Sequence, residues 1–107
     1  MKIKTSELTG KALDWAAWKI EHSAAKTDDE LVAALSPFSP SSEWAQGGPI
    51  IEREGYEIHN GVDGDKVAHA EFQKYGIGKT ILIAAMRCYV ASRLGDVVDV
   101  PDELIGE

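Results

Sequence analysis

The sequence predicts an α+β fold: a small α-β-α sandwich-like domain in which a β-hairpin packs against helices, with room for a third short strand. Three observations predict it. From Ile81 to Leu94 the chain is apolar except at Arg87, Ser92 and Arg93, which is the pattern of a helix buried on more than one side. Near the amino terminus Leu8, Ala12, Trp15 and Ala16 fall on one helical face, widened by Leu13, Ala17, Ile20 and Ala24. Between these segments, Tyr56 to Asn60 and Lys66 to Phe72 flank Asn60-Gly61 and Asp63-Gly64, the strongest turn spellings present.

Taken in order, the first helix starts after Thr5 or Ser6, either of which can cap free backbone N–H groups, and runs to about Ala25. Gly10 counts against its first turn, because a glycine inside a helix costs about 1 kcal/mol relative to alanine. Thr27 with Glu30 spells a capping box before Leu31, Val32 and Leu35, so a short second helix ends ahead of Pro37. Residues 36 to 42 form a proline-broken surface loop. Ser41 or Ser42 then caps a helix that has Pro49 in its first turn, carries Ile50 and Ile51, and stops at Gly55. In the hairpin, pairing Ile58 with Ala70 places Tyr56, Ile58, Ala68, Ala70 and Phe72 on an apolar face and Glu57, His59, His69 and Glu71 on the other. Gly95 ends the apolar helix, and Val97, Val98 and Val100 follow as an extended piece that suits an edge strand.

The chain has 107 residues, enough to bury roughly two-thirds of its extended surface in one core. We therefore read residues 1–107 as one domain, with 96–107 as an acidic carboxy-terminal tail. Eighteen acidic against eleven basic residues leave a net charge of -7, so a nucleic acid meets repulsion and is a poor partner. Residues 1 to 26 hold five lysines against three acids, which makes the first helix the one mildly basic element. A single cysteine, Cys88, closes no internal disulfide and fits a reducing cytosol. Neither a signal peptide nor a membrane span is spelled, and nothing calls for a cofactor.

Few constellations carry chemistry. Gly78-Lys79-Thr80 before a helix resembles the end of a phosphate-binding loop, but Gln73 stands where that motif needs its first glycine. What remains is a helix amino terminus beside Lys79 and Thr80 that suits an anion, or an ordinary cap with a solvated lysine. His59 and His69 on one hairpin face, with Glu57 and Glu71, could hold a metal, although any half-solvated hairpin shows such a face. His22 reads as an exposed helix residue. Arg87 in an apolar helix needs a carboxylate partner or a path to water, and can bind an anion. Cys88 reads as a small buried hydrophobe. Trp15 and Trp44 read as core, while Trp18 or Phe38 could belong to a partner surface.

Three blocks carry a resemblance. They are Lys2-Ile-Lys-Thr-Ser-Glu-Leu-Thr-Gly-Lys-Ala-Leu-Asp-Trp15, Ser39-Pro-Ser-Ser-Glu-Trp-Ala-Gln-Gly-Gly-Pro-Ile-Ile-Glu-Arg-Glu54 and Leu82-Ile-Ala-Ala-Met-Arg-Cys-Tyr-Val-Ala-Ser-Arg-Leu-Gly95. With the Val-Pro-Asp-Glu-Leu stretch at 100–104, the chain resembles the phage NinX-like proteins, a family of unknown function in tailed phages and prophages. Where the family reads Gly-Pro-Thr-Pro, this chain has Gly76-Ile-Gly-Lys-Thr80. The resemblance implies an accessory protein in the cytoplasm of an infected or lysogenic bacterium, with no assigned reaction. The expected action is non-enzymatic binding of a host or phage protein or a small anionic metabolite, through Ser41, Ser42, Trp44, Lys79, Thr80 and Arg87. A nucleotide-like ligand stacked on Trp44, a homodimer, and a small metal-dependent enzyme on the His59/His69 face are the alternatives.

Overall fold

The computed structural model describes residues 1–21, 39–70 and 74–104. The expected helix between Thr27 and Pro37, together with His22, Phe38, Glu71 and Phe72, lies outside the described residues. Within them the chain forms three α-helices and five short strands: β1 (Lys2–Lys4), α1 (Gly10–Glu21), α2 (Trp44–Glu54), β2 (Glu57–Asn60), β3 (Lys66–His69), β4 (Tyr75–Gly78), α3 (Ile81–Leu94) and β5 (Val97–Asp99). The α+β class is as the sequence predicts. The layer at its centre is α3, which meets β3 and β4 as well as α1 and α2.

Helix α3 is built as its sequence implies. The Thr80 hydroxyl accepts the Ile83 N–H at 3.1 Å, and Gly95 ends the helix at a φ of 90° while donating its N–H to the Ala91 carbonyl at 3.1 Å. Leu82, Ala84, Ala85, Met86, Cys88, Tyr89, Val90 and Ala91 are all buried, which is why no polar stripe is visible in this stretch.

The hairpin β2–β3 gains a third strand, β4, giving an antiparallel sheet in the order β2-β3-β4. Ile58 faces Ala68, two residues from the expected partner Ala70. The loop sets this register: Gly61 N–H reaches the Asp65 carbonyl at 2.7 Å, and Asp63 takes a left-handed φ of 58°, which centres the turn on residue 63. A slip of two residues preserves side-chain parity, so Ile58 and Ala68 still face the core and Glu57, His59 and His69 still face outward.

β4 alternates exposed Tyr75 and Ile77 with buried Gly76 and Gly78. The glycines let the strand lie directly on helical backbone. A Cβ on Gly76 would collide with the Ala84 carbonyl and the Cys88 nitrogen, and one on Gly78 would sit 2.9 Å from the Ala84 nitrogen.

Three sequence expectations are corrected here. Helix α1 begins at Gly10 rather than after Ser6, because Thr5–Glu7 form a separate 3-10 turn and Gly10 enters the helix at a φ of 54°. Its glycine is an entry hinge and not an interior defect. Helix α2 includes Pro49 beyond its first turn, on an exposed side of the helix. Trp44 is 56% exposed and not core, since it lies about a quarter turn round α2 from the buried Gly47 and Ile50. Trp15 is fully buried as expected.

The extended piece after α3 pairs with the amino terminus. β5 lies antiparallel to β1, with Val98 opposite Ile3, and Val98 and Val100 are buried. The three helices are joined at one end by charge. Arg53 of α2 holds Glu21 of α1 at 2.7 Å, Arg93 of α3 holds Glu54 at 2.7 Å, and the Tyr89 hydroxyl donates to Glu21. Burial, ahead of the neighbouring carboxylate, pushes Tyr89 up to about 12.

Gly76→Ala is expected to cost about 3 kcal/mol or more, since backbone rather than a mobile side chain blocks the added methyl. Gly48→Ala, whose Cβ would meet Trp44 at an ordinary 3.6 Å, is expected to stabilise by about 0.5–1 kcal/mol. Urea unfolding of both variants checks the pair, and equal effects would contradict the close approach of β4 to α3.

Candidate functional site

A groove of about 650 Å³ opens between β4 and the segment Lys4 to Ser6, with Asp96 and Val97 at its side and Arg87 and Ala91 of α3 lining it. Topology assembles it, because the sheet that joins the two ends of the sequence, β1 with β5, and the strand β4 from its middle both contribute lining residues beside α3. Lys4, Thr5 and Ser6 lie more than 65 residues from Lys74, Tyr75 and Ile77. Thr5 is buried and fixed: its hydroxyl donates to the Gly95 carbonyl at 2.7 Å and its N–H to the Asp96 carbonyl at 2.8 Å.

Arg87 is the best-anchored cation of the groove. Its Nε donates to the Leu8 carbonyl at 2.9 Å and its Nη1 to the Ile77 carbonyl at 2.7 Å. Among the described residues no carboxylate stands within ion-pair distance of it. Burial draws its pKa below the ordinary arginine value, opposed by the more distant charge of Asp65. The guanidinium remains a cation, because an arginine starts far above neutrality. Exposed Lys4 and half-buried Lys74 add two positive groups, and Asp96 balances one of them at 3.7 Å from Lys74. The result is a locally basic groove on a chain whose net charge is -7.

Of the six residues expected to bind a ligand, Arg87 lines this groove and the other five do not. Thr80 caps α3, and Lys79 pairs with Asp65 at 2.9 Å. Both lie at the turn into α3, where Gly78 packs on the helix. Ser41 is buried, and its N–H donates to the Asp14 carboxylate at 2.8 Å. Ser42 and Trp44 are exposed on the neighbouring loop and the start of α2. Lys4, Thr5, Ser6 and Lys74 escaped sequence reasoning. The one signal pointing toward them was the large-small alternation Tyr75-Gly76-Ile77-Gly78, which marks a strand with a bare inner face.

His59 and His69 do meet on the outer sheet face, their rings edge to face with centroids 5.3 Å apart, and Glu57 lies 3.6 Å from His59. Tyr75 extends this row at 6.0 Å from His69. Among the described residues, no group of three or more His, Cys, Asp or Glu is placed to hold a metal ion. Cys88 is buried, and burial raises its thiol above the ordinary value, which disfavours the thiolate.

Two comparisons with known proteins bear on this arrangement. The family model described as "Bacteriophage P22, NinX" matches residues 4–93. No curated protein matches the chain. Among the described residues no helix is long and apolar enough to cross a membrane.

The Asp14 tether yields a pH prediction. Desolvation outweighs the bonds from Ser41, which act in the opposite direction, and raises its pKa in the fold above 3.8, so the native state holds this proton more tightly than the unfolded chain. The contribution is therefore largest below the unfolded value and declines as pH rises through the folded one. Relative to Asp14→Asn, the wild type should lose stability from pH 3.5 to pH 7 in urea unfolding; a relative gain would contradict a raised carboxyl.

Proposed function

The chain belongs to the bacteriophage P22 NinX family, and on that premise we propose that it is a phage accessory protein acting by binding, with an anionic partner held in the groove at Arg87. The observation that supports this reading is the state of Arg87. Two backbone carbonyls hold its guanidinium in place and no carboxylate neutralises it among the described residues, so the charge is fixed in position before any ligand arrives. A preorganised cation loses little side-chain freedom on binding, which favours a bound anion. Lys4 and Lys74 enlarge the positive field around this groove.

The partner is a small anionic metabolite or an acidic segment of a host or phage protein, and the chain acts as one domain. Calorimetric titration with inorganic phosphate, a panel of linear and cyclic nucleotides, and a polyglutamate peptide tests this. At least one anion should bind, weaken as salt is raised, and lose roughly tenfold or more in affinity in the double variant Lys4→Glu/Lys74→Glu. With the fold of the double variant checked by circular dichroism, silence toward every anion, or binding unmoved by the charge reversal, would overturn the reading.

A further inference from the structure

The groove also contains a sheet edge that no strand among the described residues pairs, and its backbone geometry points to a more particular occupant. Ala70 donates its N–H to the Lys74 carbonyl at 2.9 Å, which makes 70 and 74 a hydrogen-bonded pair of the β3–β4 ladder. By the alternation of an antiparallel ladder, with His69 opposite Tyr75 and Ala68 opposite Gly76, the bonded pairs continue at 68/76 and 66/78. The N–H and C=O groups of Tyr75 and Ile77 therefore point away from β3. The Ile77 carbonyl confirms the direction by accepting Arg87 Nη1 from the groove side at 2.7 Å. The Tyr75 N–H, the Tyr75 carbonyl and the Ile77 N–H have no hydrogen-bond partner among the described residues.

An unpaired edge of this kind is a template for one more strand. Two further observations give that strand its chemistry. Of the six large apolar residues left most exposed among the described residues, three line this groove: Tyr75 at 55%, Ile77 at 44% and Val97 at 50%. Lys4, Lys74 and Arg87 stand around the same opening, against Asp96. Backbone donors, apolar cover and positive charge at one place match an extended peptide that alternates acidic and apolar side chains. A basic strand would meet like charge on three sides.

We propose that the groove binds an extended acidic peptide segment of another protein by adding it as a strand to the free edge of β4. This rests on the anion-binding reading above and names its partner class. The guanidinium of Arg87 reads an acidic side chain or the backbone beside Ile77, and Lys4 and Lys74 fix the register.

The test uses the full chain, labelled with nitrogen-15, and a synthetic heptapeptide alternating glutamate and valine. A second peptide of the same sequence carries N-methyl groups on the alternate residues whose N–H groups would face β4. The expected result is binding of the first peptide with slowed hydrogen exchange at the Tyr75 and Ile77 amides. The methylated peptide should bind at least about tenfold more weakly, as expected for lost backbone hydrogen bonds. Equal binding of both peptides without amide protection would overturn strand addition while leaving the anion groove standing. So would binding of phosphate or a nucleotide at the groove with neither peptide bound. Failure of every anion and both peptides would remove the groove reading itself. Because the methylation lies on the peptide, no outcome depends on a variant protein folding.

Discussion

The contact on which the rest of the structure depends is backbone against backbone: Gly76 of β4 lies on the turn of α3 between Ala84 and Cys88, at a distance that admits no side chain. A strand normally stands off a helix by the thickness of two layers of side chains. Here one layer is missing, and β4 sinks into α3. The consequence reaches the surface, because a strand held so close brings the Ile77 carbonyl within reach of Arg87 on the helix below it. That bond and the one to the Leu8 carbonyl satisfy the arginine without a carboxylate. A cation with no carboxylate in ion-pair contact among the described residues is thus a product of how tightly the sheet packs.

The same packing explains why much of the architecture was legible in the sequence and why β4 was not. Helix α3 announced itself because burial on nearly all sides leaves a continuous apolar run, and Gly55 and Gly95 stop their helices where a left-handed or otherwise open backbone is needed. The hairpin was visible from its turn residues, and the faces of its described residues were right despite a register two residues off, since parity survives an even slip. β4 has no buried apolar residue to betray it: its inward positions are glycine, and its large residues point to solvent. β1 and β5 are three residues each and pair across nearly the whole chain, so local pattern could not join them.

The candidate site divides along the same line. Arg87 was singled out because a charge inside an apolar helix needs an explanation. Its explanation, two carbonyls contributed by residues 8 and 77, comes from tertiary contacts that no spacing rule encodes. Lys79 and Thr80 attracted notice as part of a glycine-lysine-threonine spelling. The glycine of that spelling, Gly78, serves helix packing, Thr80 serves as a cap and Lys79 joins Asp65. Lys4 and Lys74 looked like ordinary surface lysines, and chain topology is what sets them beside Arg87.

The most direct test of this account is a proton–proton Overhauser measurement on the labelled protein in solution. The account predicts strong cross-peaks from the Gly76 α-protons to the amide proton of Cys88 and from the Gly78 α-protons to the amide proton of Ala84, because these groups are in close contact. Absence of those cross-peaks, with the β3–β4 pairs still observed, would show the strand standing off the helix and would contradict the origin assigned to the groove.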